Sequence, residues 1–261
     1  MTRVSNGVTA WSVAMLLILT LLLSFGTVSA RPDTLPDFLV YEAGPDRKAE
    51  FFEFVRPLVA EENDRVRRDR RRLIAIASEP AFSWLDRWWI AKLARDYRVD
   101  EETLDDEALL ATLLRRVDVV PISLALAQAA KESGWGTSRF AREANNLFGE
   151  WCFDPGCGLV PQNRAEGRRH EVEAFASPRE SVVSYMRNLN THDRYLSFRL
   201  ERARLRKAGV ELSGMLLAGE LAHYSERRDA YINDIKHLIR VNKLVDASSS
   251  GGPGKSTDAG G

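Results

Sequence analysis

The sequence predicts a mainly α-helical fold with a small β-hairpin lobe, an α+β arrangement in which two lobes enclose a cleft. Three observations carry this. Apolar residues recur at three- and four-residue spacing over most of 45–116 and 177–244. That period breaks down between Trp151 and Phe175, where Gly, Pro and Asn gather. A nearly all-apolar run, Ile122 to Ala130, stands just before the break and reads as a buried helix. With 261 residues, 44% of them hydrophobic, the chain has material for one sizeable core or two lobes sharing a cleft.

In chain order, residues 1–30 open with Arg3, continue through an apolar stretch from Ala10 to Phe25 and end on Val28-Ser29-Ala30. Small residues at the −3 and −1 positions make this a secretory signal peptide cleaved after Ala30. The alternative is an uncleaved anchor, because about sixteen apolar residues fall just short of the usual spanning length. Either way the rest of the chain is exported, and the cleaved form makes no stable membrane insertion. A periplasmic location is the expectation. Lys plus Arg (37) balances Asp plus Glu (37), so the strongly basic footprint of a nucleic-acid binder is absent.

Residues 31–44 read as an extended N-terminal segment and 45–116 as an N-terminal helical region packing on the core of the following domain. Within it, Phe51, Phe52, Phe54, Val55, Leu58 and Val59 form one stripe, and RVRRDRRRLIAIAS continues the helix until Ser78-Glu79-Pro80 stops it. The arginines read as a solvated helix face, with a polyanion partner as the alternative. Phe82–Tyr97 gives a second helix and Asp105–Arg116 a third. Trp84, Trp88 and Trp89 have the spacing of core aromatics, against the alternative of a sugar platform.

Residues 117–246 read as the catalytic domain. Pro121 suits a helix start, and Glu132 ends the buried run immediately before Ser133-Gly134-Trp135-Gly136. The two glycines break the helix and permit a close backbone approach to a ligand. A carboxyl placed there is poorly solvated, so its pKa rises, as a general acid working near neutrality requires. Gln128 shares its face one turn earlier. The bland alternative makes Lys131 and Glu132 the solvated end of a core helix. Cys152 and Cys157 flank Asp154-Pro155-Gly156; in an oxidising compartment they read as a local disulfide, with free thiols as the alternative, and no nearby His supports a zinc site. GLVPQNRAEG and RRHEVEAF read as two strands joined at Glu166-Gly167, making 151–175 the hairpin lobe. Alternation places Glu171 and Glu173 on one strand face. Ser177-Pro178-Arg179-Glu180 starts a helix through Asn190. Further helical segments follow at Arg194–Lys207, Leu212–His223 and Asp229–Leu244, the last burying Tyr231, Ile235, Leu238, Ile239 and Val241 or neighbours. Residues 247–261 lack apolar groups and read as a disordered tail.

The string AQAAKESGWGTSRFAREANNLFGEW resembles the signature of the glucosaminidase domain of family-73 glycoside hydrolases. The Cys152–Cys157 insert, NLNTH at Asn188–His192 and YSERRDAYI at Tyr224–Ile232 resemble its Bax-type bacterial envelope subgroup. The resemblance spans roughly residues 45 to 244 and implies a lysozyme-like fold. It implies hydrolysis of a β-1,4 bond after N-acetylglucosamine, with peptidoglycan glycan strands as partner; no cofactor is expected, and because His192, His223 and His237 are not spaced with carboxylates and His170 is alone, no metal is either. It makes Glu132 the catalytic acid, places Tyr224 in the cleft, and gives the hairpin an opposing acid for which Glu166, Glu171 and Glu173 are candidates. No single hairpin residue aligns cleanly with the second acid of the flagellar members. The same motif assigns Gln128, Ser133, Trp135, Asn146 and Phe148 to substrate binding. A second carboxylate or the substrate's own acetamido oxygen completes the hydrolysis. A lytic transglycosylase and a non-catalytic glycan-binding envelope protein remain the alternatives.

Overall fold

Helix α1 (Pro45–Ala77) begins with proline at its first position and runs for 33 residues through two separate apolar clusters. Its first half buries Phe51, Phe52, Val55, Leu58 and Val59 in the larger cluster; its second half buries Val66, Leu73 and Ile76 in the smaller one. The computed structural model describes residues 34–79, 81–100, 105–162, 164, 167–221, 224 and 228–246. The expected signal peptide and tail lie outside them. Among the described residues no helix is long and apolar enough to cross a membrane.

Helix α2 (Trp84–Asp96) starts at a capping box in which Ser83 and Asp86 satisfy each other's backbone amides, and α3 (Asp106–Arg116) is capped by Asp105. Both complete the smaller cluster through Ile90, Leu93, Ala94, Leu109 and Leu113. The expected core role fails for two tryptophans: Trp84 is 75% and Trp88 61% exposed, and only Trp89 packs against the cluster. The helix turns its Ile90–Leu93–Ala94 stripe inward, and Trp84 and Trp88 fall on the opposite side.

Helix α4 (Ile122–Ser133) is the axis of the larger cluster, with every residue from Ile122 to Ala130 buried. Such a helix has no solvated face, so its end groups need fixed partners. Asp246, near the far end of the chain, accepts from the Ser123 amide and hydroxyl at 2.8 Å each. On α1, Asn63 exchanges two hydrogen bonds with the Val120 backbone. The lead-in residue Asp118 is buried and takes a two-pronged contact from Arg206, while the fully buried Arg202 donates to the carbonyls of Arg115, Asp118 and Val119. These bonds join α3, the entry to α4 and α7 (Leu196–Lys207).

After α5 (Arg139–Ala144) come three short strands, β1 (Trp151–Cys152), β2 (Gly158–Leu159) and β3 (Glu171–Glu173), in the antiparallel order β1-β3-β2. The expected two-strand hairpin is therefore a three-stranded sheet with its last strand at the centre. A two-residue strand such as β1 shows no alternation, and its partner lies about twenty residues away. Most of the expected turn at Glu166-Gly167 lies outside the described residues. The Cys152–Cys157 disulfide is formed and closes the loop from β1 to β2.

Helix α6 (Pro178–Thr191) begins at Ser177 and Pro178 as expected. Helix α8 (Gly214–Leu217) runs into a 3-10 turn at Ala218–Leu221. Helix α9 (Arg228–Val241) buries Tyr231, Ile235 and Ile239, while Val241 faces solvent and Leu244 is buried in its place. The segment ahead of α1 is not merely extended. Phe38, in a 3-10 turn, is buried against Phe51 and Phe54. The whole is a mainly α lysozyme-like fold.

Candidate active site

Glu132 stands one residue from the end of α4, where Gly134, Trp135 and Gly136 all take positive φ and turn the chain away. A Cβ on Gly136 would strike the Phe38 ring, so this glycine admits a core aromatic and not a ligand. The NNLFG turn passes over the carboxylate: a Cβ on Gly149 would sit 3.9 Å from Glu132 Oε2. Burial raises the Glu132 pKa, offset in part by a hydrogen bond from the Tyr231 hydroxyl and by the Lys131 charge. Lys131 is itself held by Asp234 at 2.8 Å.

A chain of hydrogen bonds leads to that carboxyl through the core. Tyr185 donates to Gln128 Oε1 at 2.6 Å, Gln128 Nε2 donates to the Tyr231 hydroxyl oxygen at 2.9 Å, and the Tyr231 proton is left to meet Glu132. Tyr224 is half-buried, stacks on Tyr231 with centroids 5.4 Å apart and donates to the Phe148 carbonyl at 3.0 Å. Phe148 in turn stacks on Tyr185 at 3.8 Å. Burial pushes these phenols up, Tyr195 to about 12, so they stay neutral donors at any working pH.

The residues expected to bind substrate have mostly gone into building this cage. Gln128 is fully buried and bridges two tyrosines. Ser133 donates to the Ala129 carbonyl and accepts from the Gly136 amide. Asn146 is sealed, its amide spanning the Glu150 and Glu173 carbonyls and its oxygen taking the Phe148 and Glu150 amides. Phe148 is buried, and Trp135 packs edge-on against Phe51 and Phe52. Gln128, Ser133, Asn146 and Phe148 thus shape the site from within, each polar side chain committed to the protein.

The hairpin acids separate sharply. Glu166 lies outside the described residues. Glu171 spends both oxygens on the Gly156 and Gly158 amides, at 3.2 and 2.9 Å, and these bonds lower its pKa. Its carboxylate fastens the disulfide loop. Glu173, two residues on, makes no such bond among the described residues, and burial raises its pKa.

The sequence reading missed Glu150. The register Trp151↔Val172 and Cys152↔Glu171 sets Glu150 opposite Glu173, and the Glu173 amide donates to the Glu150 carbonyl at 2.9 Å. Residues facing each other across strands share a face, so the two carboxyls are neighbours. Asn188 reaches Glu150 Oε1 at 3.3 Å and Ser184 stands beside the same carboxyl, while Oε2 is sealed with no hydrogen bond of its own among the described residues. Burial, opposed by the Ser184 and Asn188 hydrogen bonds and reinforced by the Glu173 charge, pushes the Glu150 carboxyl up to about 8. Its place directly after NNLFG was visible, but its burial depends on a strand pairing that was not. Among the described residues no group of three ligand side chains could hold a metal ion.

A buried carboxyl under a glycine turn, lined with neutral phenols, thus ends the central helix of a chain whose family is one of glycan-cleaving hydrolases. The chain belongs to the glucosaminidase family described as mannosyl-glycoprotein endo-beta-N-acetylglucosaminidase, whose profile matches residues 108–244. It is also 36% identical to "Protein bax" of Escherichia coli (strain K12) over 220 residues, covering 84% of this chain and 78% of that one. No solved structure matches it.

Proposed function

We propose that this chain is an exported peptidoglycan hydrolase of the endo-β-N-acetylglucosaminidase type, with Glu132 as general acid. The observation that carries the reading is the raised Glu132 carboxyl at the mouth of the buried helix, oriented by Tyr231 beneath Gly149. Glycoside cleavage needs a proton for the leaving oxygen and a means of stabilising an oxocarbenium-like centre. Glu132 supplies the first. For the second, Glu173 is the hairpin acid free to activate water, and the substrate's acetamido oxygen is the other route. Tyr224, its hydroxyl fixed on the Phe148 carbonyl and its ring stacked on Tyr231, would orient the substrate's acetamido group. The formed disulfide supports export to an oxidising compartment.

The test is mass analysis of fragments released from purified peptidoglycan by the native chain and by Glu132→Gln. The reading expects reducing N-acetylglucosamine ends from the native protein and a fall of about a hundredfold or more in the variant, with the fold retained by circular dichroism. Anhydromuramyl ends would assign a lytic transglycosylase. No fragments would leave a glycan-binding protein, and undiminished cleavage by the variant would remove Glu132 from the mechanism.

A further inference from the structure

Glu150 and Glu173 are held against each other by more than the pairing of β1 with β3. The Glu173 amide donates to the Glu150 carbonyl at 2.9 Å. The Asn146 side chain clamps both residues: its amide donates to the Glu150 and Glu173 carbonyls at 3.0 and 2.9 Å, and its oxygen accepts from the Glu150 amide at 3.1 Å. Facing residues of an antiparallel pair have Cβ atoms about 4.5–5.5 Å apart, so each carboxyl has the other as a neighbour. Their surroundings differ. Helix α6 closes over Glu150: Asn188 donates to Oε1 at 3.3 Å and Ser184 stands beside it, while Oε2 is sealed with no hydrogen bond of its own among the described residues. The charge that acts on Glu150 is that of Glu173. Tyr185 and Tyr195, which lie near it, are neutral phenols that sense the Glu150 and Glu132 charges alike. Ionising Glu150 would bury a second negative charge beside the first, with no cation among the groups acting on it.

We propose that Glu150 is a positioning residue for Glu173: it keeps the one proton of the pair and turns it toward the Glu173 carboxylate, which is left ionised for work as a base. This rests on the reading of Glu173 as the hairpin acid that activates water. Two adjacent carboxyls in unlike environments divide their roles, the more deeply sealed one taking the proton. Because Oε1 of Glu150 accepts from Asn188, the proton belongs on Oε2, and the acceptor that the strand pairing offers it is Glu173. Donation to a carboxylate favours its ionised form and fixes its direction. The Glu150 proton is not transferred. Glu173 takes a proton from the attacking water, the water oxygen bonds the sugar carbon, and the Glu132 proton goes to the leaving oxygen as the glycosidic bond breaks.

Two variants separate this role from a structural one. Glu150→Gln keeps a carbonyl for Asn188 and puts an amide donor where Oε2 stood, whereas Glu150→Met fills the space without a donor. Carboxyl carbon NMR titration of the full chain, labelled at glutamate, reads both acids whether or not glycan is cleaved. In the native protein Glu173 should ionise first, Glu150 should keep its proton until about 8, and the Glu173 resonance should move a second time there. Glu150→Gln should erase that second movement and leave the Glu173 pKa in place. Glu150→Met should raise it by about half a unit to one unit, the worth of one hydrogen bond. A base works while ionised, so the acid limb of kcat/KM on peptidoglycan should move to higher pH in Glu150→Met and stay in place in Glu150→Gln. Glu150 ionising with or before Glu173, a single movement of the native Glu173 resonance, or an acid limb indifferent to Glu150→Met overturns the proposal. Should Glu150→Met fail to fold, the native and Glu150→Gln titrations decide it. A native chain that releases no fragments sinks the hydrolase reading instead, and the titration still decides which carboxyl holds the proton.

Discussion

Gln128 donates to the Tyr231 hydroxyl oxygen at 2.9 Å, and that one bond fixes which way the Tyr231 proton points. With its lone pair taken by the amide, the phenol is a donor to Glu132, and donation favours the ionised carboxylate. Burial and Tyr231 therefore act on Glu132 in opposite directions.

Tyr231→Phe keeps the ring and its stacking on Tyr224 but removes that donor. The Glu132 pKa should rise further. A general acid works while protonated, so the alkaline limb of kcat/KM should move to higher pH in the variant. Turnover at the optimum should fall by about tenfold as the carboxyl loses its orientation. An unchanged alkaline limb would place some other group in control of it.

The helices and their order were legible because caps and apolar stripes are local signals. Asp105 and Ser177-Pro178 fixed helix starts, and Ser78 an end. Glu132 drew notice for the same reason: a carboxylate two residues after a buried run of nine, seven of them apolar, is a local anomaly. Spacing, however, gives a face and not a depth. It put Gln128 and Asn146 near the acid without revealing that their amides are consumed internally. It read Trp84 and Trp88 as core because aromatic spacing alone does not say which stripe of α2 meets α1. Glu150 needed the β1–β3 pairing, a contact between distant residues that no local pattern announces.

Glu150 makes stability depend on pH in a direction opposite to a paired carboxylate. Its folded pKa, about 8, lies above the ordinary carboxyl value, so the folded state holds the proton more tightly than the unfolded chain. That contribution is complete below the unfolded pKa and is lost as pH rises through about 8. Glu150→Gln keeps the neutral shape without a proton to lose. Thermal unfolding should show the native chain losing stability between pH 5 and about 8.5 relative to the variant. By the alkaline end the variant should lead by several kcal/mol, since each unit between the unfolded and folded pKa is worth about 1.4 kcal/mol. Parallel curves across that range would mean that the carboxyl ionises freely.

Glu171 and Glu173 share a strand face yet should respond differently to the same change. Glu171 is committed to the Gly156 and Gly158 amides, so Glu171→Gln weakens the fastening of the disulfide loop; those two amides should exchange faster, while turnover stays within a few-fold of native. Glu173 faces Glu150 across the strands, and its carboxyl is the described hairpin acid left for chemistry. If it positions the attacking water, Glu173→Gln should lower kcat by about a hundredfold or more with little change in KM, since the interaction is made in the transition state. A loss of less than about fivefold would instead assign the second function to the substrate's acetamido oxygen, and an analogue lacking that group would then resist cleavage by the native enzyme. Should Glu171→Gln prove the more damaging of the two, the carboxylate tying down Gly156 and Gly158 would have to be released during turnover, and the disulfide loop would become part of the catalytic cycle.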